Sequence, residues 1–198
     1  MPRRGLTEAM IVHAAVEIVE EKGYNNLSMR ELATRLDVKP PALYNHISGI
    51  EELFESIARV AADRLNAALA LATGEKTRDE GFIALCYAYR DFVLNSHEMY
   101  RALLSTPRWS SDDAVAEISM ASIAPLTSIL RAYHLSEHER IHMQRYIRSA
   151  LHGFSWLEGA GFMRRSQPSL EETFEVIVQG LLAALLERER AGAVTADL

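Results

Sequence analysis

Leu27-Ser28-Met29-Arg30-Glu31-Leu32-Ala33-Thr34-Arg35-Leu36-Asp37-Val38-Lys39-Pro40-Pro41-Ala42-Leu43-Tyr44-Asn45-His46-Ile47 is the stretch whose reading decides the fold. Ser28 and Glu31 have capping-box spacing, so a short helix opens at Ser28. Asp37-Val38 falls where a tight turn is needed. Pro40 and Pro41 fit only a first helical turn, so a second short helix begins there and is expected to end near Ile47. Leu32, Ala33, Leu36, Val38 and Leu43 hold the two helices together, and the second displays Lys39, Pro40, Pro41, Ala42, Tyr44, Asn45 and His46. This is a helix-turn-helix. Such a unit places the N-terminal part of its second helix in the major groove of double-stranded DNA while neighbouring polar groups grip phosphates.

On the N-terminal side, apolar residues Ile11, Ala14, Ala15, Ile18 and Val19 form one face of a helix from about Thr7 to Lys22, stopped by Gly23. On the C-terminal side, Ser48/Glu51, Thr77/Glu80, Ser136/Glu139 and Ser169/Glu172 repeat the capping spacing, and strand-like alternation is absent. The expected class is all-α, an N-terminal three-helix helix-turn-helix domain followed by a C-terminal antiparallel helical bundle, about nine helices altogether. Residues 1–50 form the first domain, a helix from Ser48 links the two, and residues 51–198 form the second. Within the second, helices are expected from Ser48 to about Thr73 and from Thr77 to about Asn95. Further helices follow from Asp113 to Tyr133 with a kink at Pro125, from Ser136 to about Phe162, and from Ser169 to about Glu189.

The chain of 198 residues, 48% hydrophobic and 24% charged, suits an ordinary globular protein. Its net charge of −6 argues against indiscriminate coating of nucleic acid. The first fifty residues carry six basic and six acidic side chains, so the acidic excess lies beyond them. A lone cysteine, Cys86, on an apolar helical face, and the lack of a signal-like segment or a bilayer-length apolar run, point to a cytoplasmic protein with no membrane partner.

Residues 7–58 resemble the DNA-binding domain of the TetR family of one-component bacterial transcription regulators. The residues that carry the resemblance are Gly23-Tyr24, the Leu27-to-Ala33 opening, Val38, Leu43-Tyr44 with His46, and Glu51-Glu52-Leu53. It implies that Arg30 approaches a base or phosphate and that Tyr44 and His46 donate to phosphate oxygens. Ser28 joins these candidate DNA contacts. Base reading falls to Lys39, Pro40, Pro41, Ala42 and Asn45, with Asn45 suited to adenine or else facing the backbone. A core place for Tyr44 and a solvated terminus for His46 are the competing readings. Ile50 stands where the family usually has lysine, which removes one phosphate contact and makes the salt dependence shallower.

The chain from about Thr77 resembles the family's ligand-binding and dimerisation domain. The stretch from Arg148 to Gly161 resembles a subgroup marked by His152-Gly153 and then Leu157-Glu158. The last two helices are apolar on two sides. Ser149, Gly153 and Ala160 on one, with Val176, Gly180, Ala183 and Ala184 on the other, form small-residue faces suited to a four-helix homodimer joint, the alternative being a helix central to one monomer. Tyr89, Phe92, Met99, Trp109, Met120, Ile123, His152 and Trp156 are candidates for a pocket holding a small, largely apolar effector. His152 either anchors the ligand or bonds a neighbouring carbonyl.

His138-Glu139-Arg140-Ile141-His142 fits H-E-x-x-H, but no third ligand follows at the zinc-protease spacing and Glu139 already serves the helix start. Gly153-Phe154-Ser155-Trp156-Leu157 lacks the second glycine of a nucleophile elbow. No catalytic residue, metal or cofactor is expected. The reading is a homodimeric repressor that binds a near-palindromic operator and is released by a small, largely apolar effector, the rival being a ligand-binding module or enzyme with a vestigial helix-turn-helix.

Overall fold

The computed structural model describes residues 5–105, 118, 123–163 and 168–196. Among them are nine α-helices and one 3-10 turn, with no strand. The helices are α1 (Glu8–Lys22), α2 (Met29–Arg35), α3 (Pro40–Leu43), α4 (Ile50–Thr73), α5 (Arg78–Asn95), α6 (His97–Leu104), α7 (Ala124–Leu130), α8 (Glu137–Gly159) and α9 (Leu170–Ala196). Among the described residues, no helix is long and apolar enough to cross a membrane.

The chain divides into two compact units. One takes residues up to Arg64 together with those from Ser96 to Ala121, and the other takes Leu65–Asn95 and residues from Ser122 onward. This geometric division falls inside α4 and differs from the boundary at residue 50, because the first part of α4 and all of α6 pack with the helix-turn-helix.

In the first unit, the Thr7 hydroxyl accepts the Met10 amide and opens α1, and Gly23, at φ 89°, ends it with its amide on the Val19 carbonyl at 2.9 Å. Ile11, Ala15, Ile18 and Val19 are fully buried along the inner face of α1. Ser28 caps α2 through the Glu31 amide at 3.2 Å. The following turn places Asp37 at φ 52° and sends the Val38 amide back to the Ala33 carbonyl at 3.0 Å, a left-handed close of the kind that ties off orphan carbonyls.

In the second unit, α5 packs against α7, α8 and α9. Phe82, Leu85, Val93, Leu130, Ile147, Leu151, Phe174 and Leu185 form its buried centre. At Gly81 a Cβ would stand 2.8 Å from both Ile129 Cδ1 and the Lys76 carbonyl oxygen, so α5 meets α7 only with glycine there. Ser169 and Glu172 form the complete reciprocal cap of α9, the amide and hydroxyl of Ser169 donating to the Glu172 carboxylate at 2.8 and 2.7 Å while the Glu172 amide donates to Ser169 Oγ at 3.1 Å.

Several boundaries differ from the sequence expectation. α3 ends at Leu43, and Tyr44–His46 form a turn closed by the His46 amide on the Leu43 carbonyl at 2.9 Å. α4 starts at Ile50, so Glu52 rather than Glu51 occupies the third helical position and takes the Ser48 amide and hydroxyl, each at 2.6 Å. Helix α6 was not anticipated. Pro125 lies in the first turn of α7, where its missing N–H costs nothing, so it starts a helix and does not kink one. The expected helix from Asp113 lies, over its first part, outside the described residues. α8 ends at Gly159 rather than Phe162, and α9 continues past Glu189 to Ala196.

Candidate nucleic-acid interface and effector cavity

The helix-turn-helix separates its residues by face. Leu32, Ala33, Leu43 and Ile47 are buried, while Ser28, Arg30, Lys39, Pro40, Pro41, Tyr44, Asn45 and His46 are exposed and Ala42 is half-buried. Tyr44, 54% exposed, is not a core tyrosine.

Ion pairs within this unit occupy four carboxylates of α1 and α2. Glu17 and Glu21 pair with Arg35, Glu20 with Arg64 at 2.5 Å, and Glu31 with Lys22 at 2.5 Å. These carboxylates are neutralised along α1 and α2. Arg30 and Lys39 have no carboxylate partner among the described residues, so their charge stands available at the start of α2 and of α3. Arg35 holds the Glu21 carboxyl below its ordinary range. Ser28 Oγ accepts the Glu31 amide, which leaves its O–H as a donor toward a phosphate.

One support was missed by the sequence reading. Glu98, in the first turn of α6, accepts the Tyr24 amide at 2.6 Å, and the Tyr24 hydroxyl donates to the Ser105 carbonyl at 3.3 Å. The Tyr24 ring lies 4.8 Å from that of Phe54. Both ends of α6 are thus fastened to the residue joining α1 to α2. A Cβ at Gly23 would stand 3.2 Å from Glu98 Oε2, which adds a steric reason for glycine to that of its positive φ. The signal available in the sequence was the apolar set Met99, Tyr100, Ala102 and Leu103 following Ser96.

In the second unit, Tyr89 and Ile123 meet Leu69, Leu85, Leu126, Arg148 and Leu151 around an apolar cavity of about 10 Å³. That space holds a single water at most. Of the other sequence candidates, Phe92 is buried on α5, and His152 and Trp156 sit together on α8 with ring centroids 6.2 Å apart. Met99, buried on α6, belongs to the first unit and is not among the residues around this cavity. Trp109 and Met120 lie outside the described residues. Leu69, Leu85, Leu126, Arg148 and Leu151 were not singled out, since four of them read as ordinary core.

Burial, and secondarily the charge of Arg148, hold the His152 imidazole below its ordinary value. A histidine with a lower pKa folded than unfolded contributes stability above about pH 6.5, which is lost as pH falls because the unfolded chain takes the proton first. The urea midpoint is therefore expected to drop between pH 7.5 and 5.5, and to drop less in His152→Gln. An equal loss in the two proteins would show that His152 carries none of it.

The small-residue faces are open. Ser149, Ala160, Val176, Gly180 and Ala183 are exposed, and Gly153 and Ala184 half-buried. Cys86 is fully buried, and burial pushes its thiol well up. His138 and His142 stand one turn apart on α8, while Glu139 accepts the Ser136 hydroxyl at 3.3 Å in its capping role. Among the described residues, no three His, Cys, Asp or Glu side chains cluster as metal ligands.

Residues 11–57 match the family described as bacterial regulatory proteins, tetR family, and residues 82–181 match the tetracyclin repressor-like C-terminal domain. The chain is 32% identical over 184 residues to YobS of Bacillus subtilis (strain 168), an uncharacterized HTH-type transcriptional regulator, covering 91% of this chain and 95% of that one. A protein of unknown function from Rhodococcus sp. RHA1 has the same fold, with TM-score 0.75 at 22% identity over 92% of this chain and 97% of the other. A bacterial regulatory protein in the tetR family from Rhodococcus RHA1 also superposes, with TM-score 0.64 at 21% identity over 89% and 95% of the two chains.

Proposed function

The chain belongs to the TetR family of bacterial transcription regulators, and from that premise we propose that it is a repressor binding a near-palindromic operator as a homodimer. The observation that carries this reading is the exposed face of α2 and α3, where Arg30 and Lys39 have no carboxylate partner among the described residues and stand beside Tyr44, Asn45 and His46. Two such faces, one per chain, would read half-sites about one helical turn or somewhat more apart. Residues 1–50 are the DNA-binding domain and residues 51–198 the effector and dimerisation domain, with α4 as the element common to both. The setting is the cytoplasm, where the DNA is.

A small, largely apolar effector would enter the cavity around Tyr89 and Ile123. Because that cavity holds about 10 Å³, such a ligand must displace core side chains, and binding would select a second arrangement of α5, α7 and α8. In that arrangement the two recognition helices no longer match successive grooves, and the operator is released.

Selection from a random duplex pool, followed by anisotropy titration of the enriched sequence at two salt concentrations, tests the reading. Tyr44→Phe removes one phosphate donor and is expected to weaken all sequences alike by about 0.5–1.5 kcal/mol. Asn45→Ala is expected to change preference at one base pair, and a uniform loss would assign Asn45 to the backbone instead. Failure to enrich any sequence from the pool, using protein free of co-purified ligand, would turn the reading toward a binding module.

A further inference from the structure

Two histidines one turn apart on an exposed helix face form a ready chelate, because neutral imidazole binds borderline divalent metals through a ring nitrogen. His138 and His142 are such a pair, both exposed, with ring centroids 4.6 Å apart in an edge-to-face arrangement. Neither ring makes a hydrogen bond or ion pair with another described residue. Together with Glu139 and Tyr146 they form one wall of a groove of about 630 Å³, and Glu187 and Arg188 of α9 stand on the other. Two carboxylates against one guanidinium favour a cation there over an anion.

The backbone under the pair is already fixed. Ser136 caps α8 through the Glu139 amide at 3.2 Å, and Arg140 donates to the Leu135 carbonyl at 3.0 Å. With Glu139 turned to Ser136, no carboxylate is left in the position of a water-activating base, so the H-E-x-x-H spelling fits binding without hydrolysis.

We propose that His138 and His142 hold a divalent transition metal of the zinc, nickel and copper class within one chain. Glu187 lies across the groove, and because no third His, Cys, Asp or Glu among the described residues clusters with the pair, water fills the remaining positions. Hard cations such as magnesium prefer all-oxygen ligands and are excluded by the two imidazoles. By helical spacing, His138 and His142 share the α8 face of Ser149, Gly153 and Ala160, while Glu187 shares the α9 face of Val176, Gly180 and Ala183. On the homodimer reading, the metal therefore sits at one end of the joint between chains, as an input separate from the apolar cavity.

Calorimetric titration of the full chain with zinc alone, with magnesium as the control ion, tests this without DNA, so a failed operator search leaves the result interpretable. Wild type is expected to bind one zinc per chain in the micromolar range and no magnesium. His142→Ala is expected to weaken zinc by about 100-fold, the effect of losing an intramolecular second ligand, with helicity by circular dichroism unchanged. Absence of saturable zinc binding in wild type, equal binding by the His138→Ala/His142→Ala double variant, or one zinc per two chains would overturn the intrachain site.

Discussion

Replacing Arg90 by alanine is expected to destabilise the chain by about 3–5 kcal/mol, the usual cost of breaking a buried ion pair from one side. Arg90 is 7% exposed. Its guanidinium donates through two nitrogens to Glu158, both bonds at 2.7 Å, and through the third to Glu171. It lies 4.8 Å from the Phe174 ring centroid and 5.8 Å from that of Phe154. One residue of α5 is thus tied to α8 and α9. The two carboxylates are unequal partners. The Glu171 side chain is 64% exposed and the Glu158 side chain 11%, so the Glu171 bond contributes what a surface pair does, about 0–1 kcal/mol.

The loss in Arg90→Ala comes chiefly from stranding the Glu158 carboxylate in an apolar setting. Two controls separate the terms. Glu171→Ala is expected to change stability little, and Arg90→Met with Glu158→Leu, which removes both charges at similar volume, is expected to recover most of the loss. Urea unfolding of the four proteins measures these differences. An Arg90→Ala variant within about 1 kcal/mol of wild type would mean that solvent reaches Glu158 and the pair is a surface one. The same contact gives a physical meaning to the Leu157-Glu158 marker, which in the sequence was only a resemblance.

Helix starts were the most legible feature because they depend on neighbours along the chain. Ser28, Ser136 and Ser169 cap the helices that their spacing announced. The Pro40-Pro41 pair opens α3. Where a start depended on register, the reading slipped, as when Glu52 took the place expected of Glu51. Ends set by tertiary contacts were not legible. The last helix was expected to end near Glu189, yet Glu189 pairs with Arg78 at 2.9 Å and accepts the His134 amide at 2.7 Å, and α9 runs on to Ala196. Helix α6 has no side-chain cap at Ser96, and its fastening to Tyr24 spans more than seventy residues of chain. Which residues of the helix-turn-helix stand exposed was legible because exposure follows directly from which positions pack the two short helices together. The cavity was not, since leucines that line it look like any other core leucines.

On the proposed homodimer reading, Gly153→Leu and Gly180→Leu are expected to leave each chain folded while abolishing the dimer and, with it, most operator affinity. Glycine inside a helix costs about 1 kcal/mol relative to alanine, so it is retained where something else requires it. Nothing among the described residues does. A Cβ added at either position meets no atom within 4 Å. The surroundings are apolar and open, with Val176 72%, Tyr146 52% and Leu157 40% exposed. Close approach of a second pair of helices is the arrangement that uses both features, since small residues admit a neighbouring backbone and the exposed apolar groups then lose their water. The same argument fixes the sign of the stability change. As a monomer, each leucine variant should unfold at the same or a higher urea concentration than a wild-type chain held dilute. Its operator affinity should fall by about 10²–10⁴, because the second half-site is no longer delivered by the first. Sedimentation equilibrium and anisotropy on one preparation decide the matter. Variants that remain dimeric and bind the operator fully would place the joint on another face and leave these two glycines without a physical account.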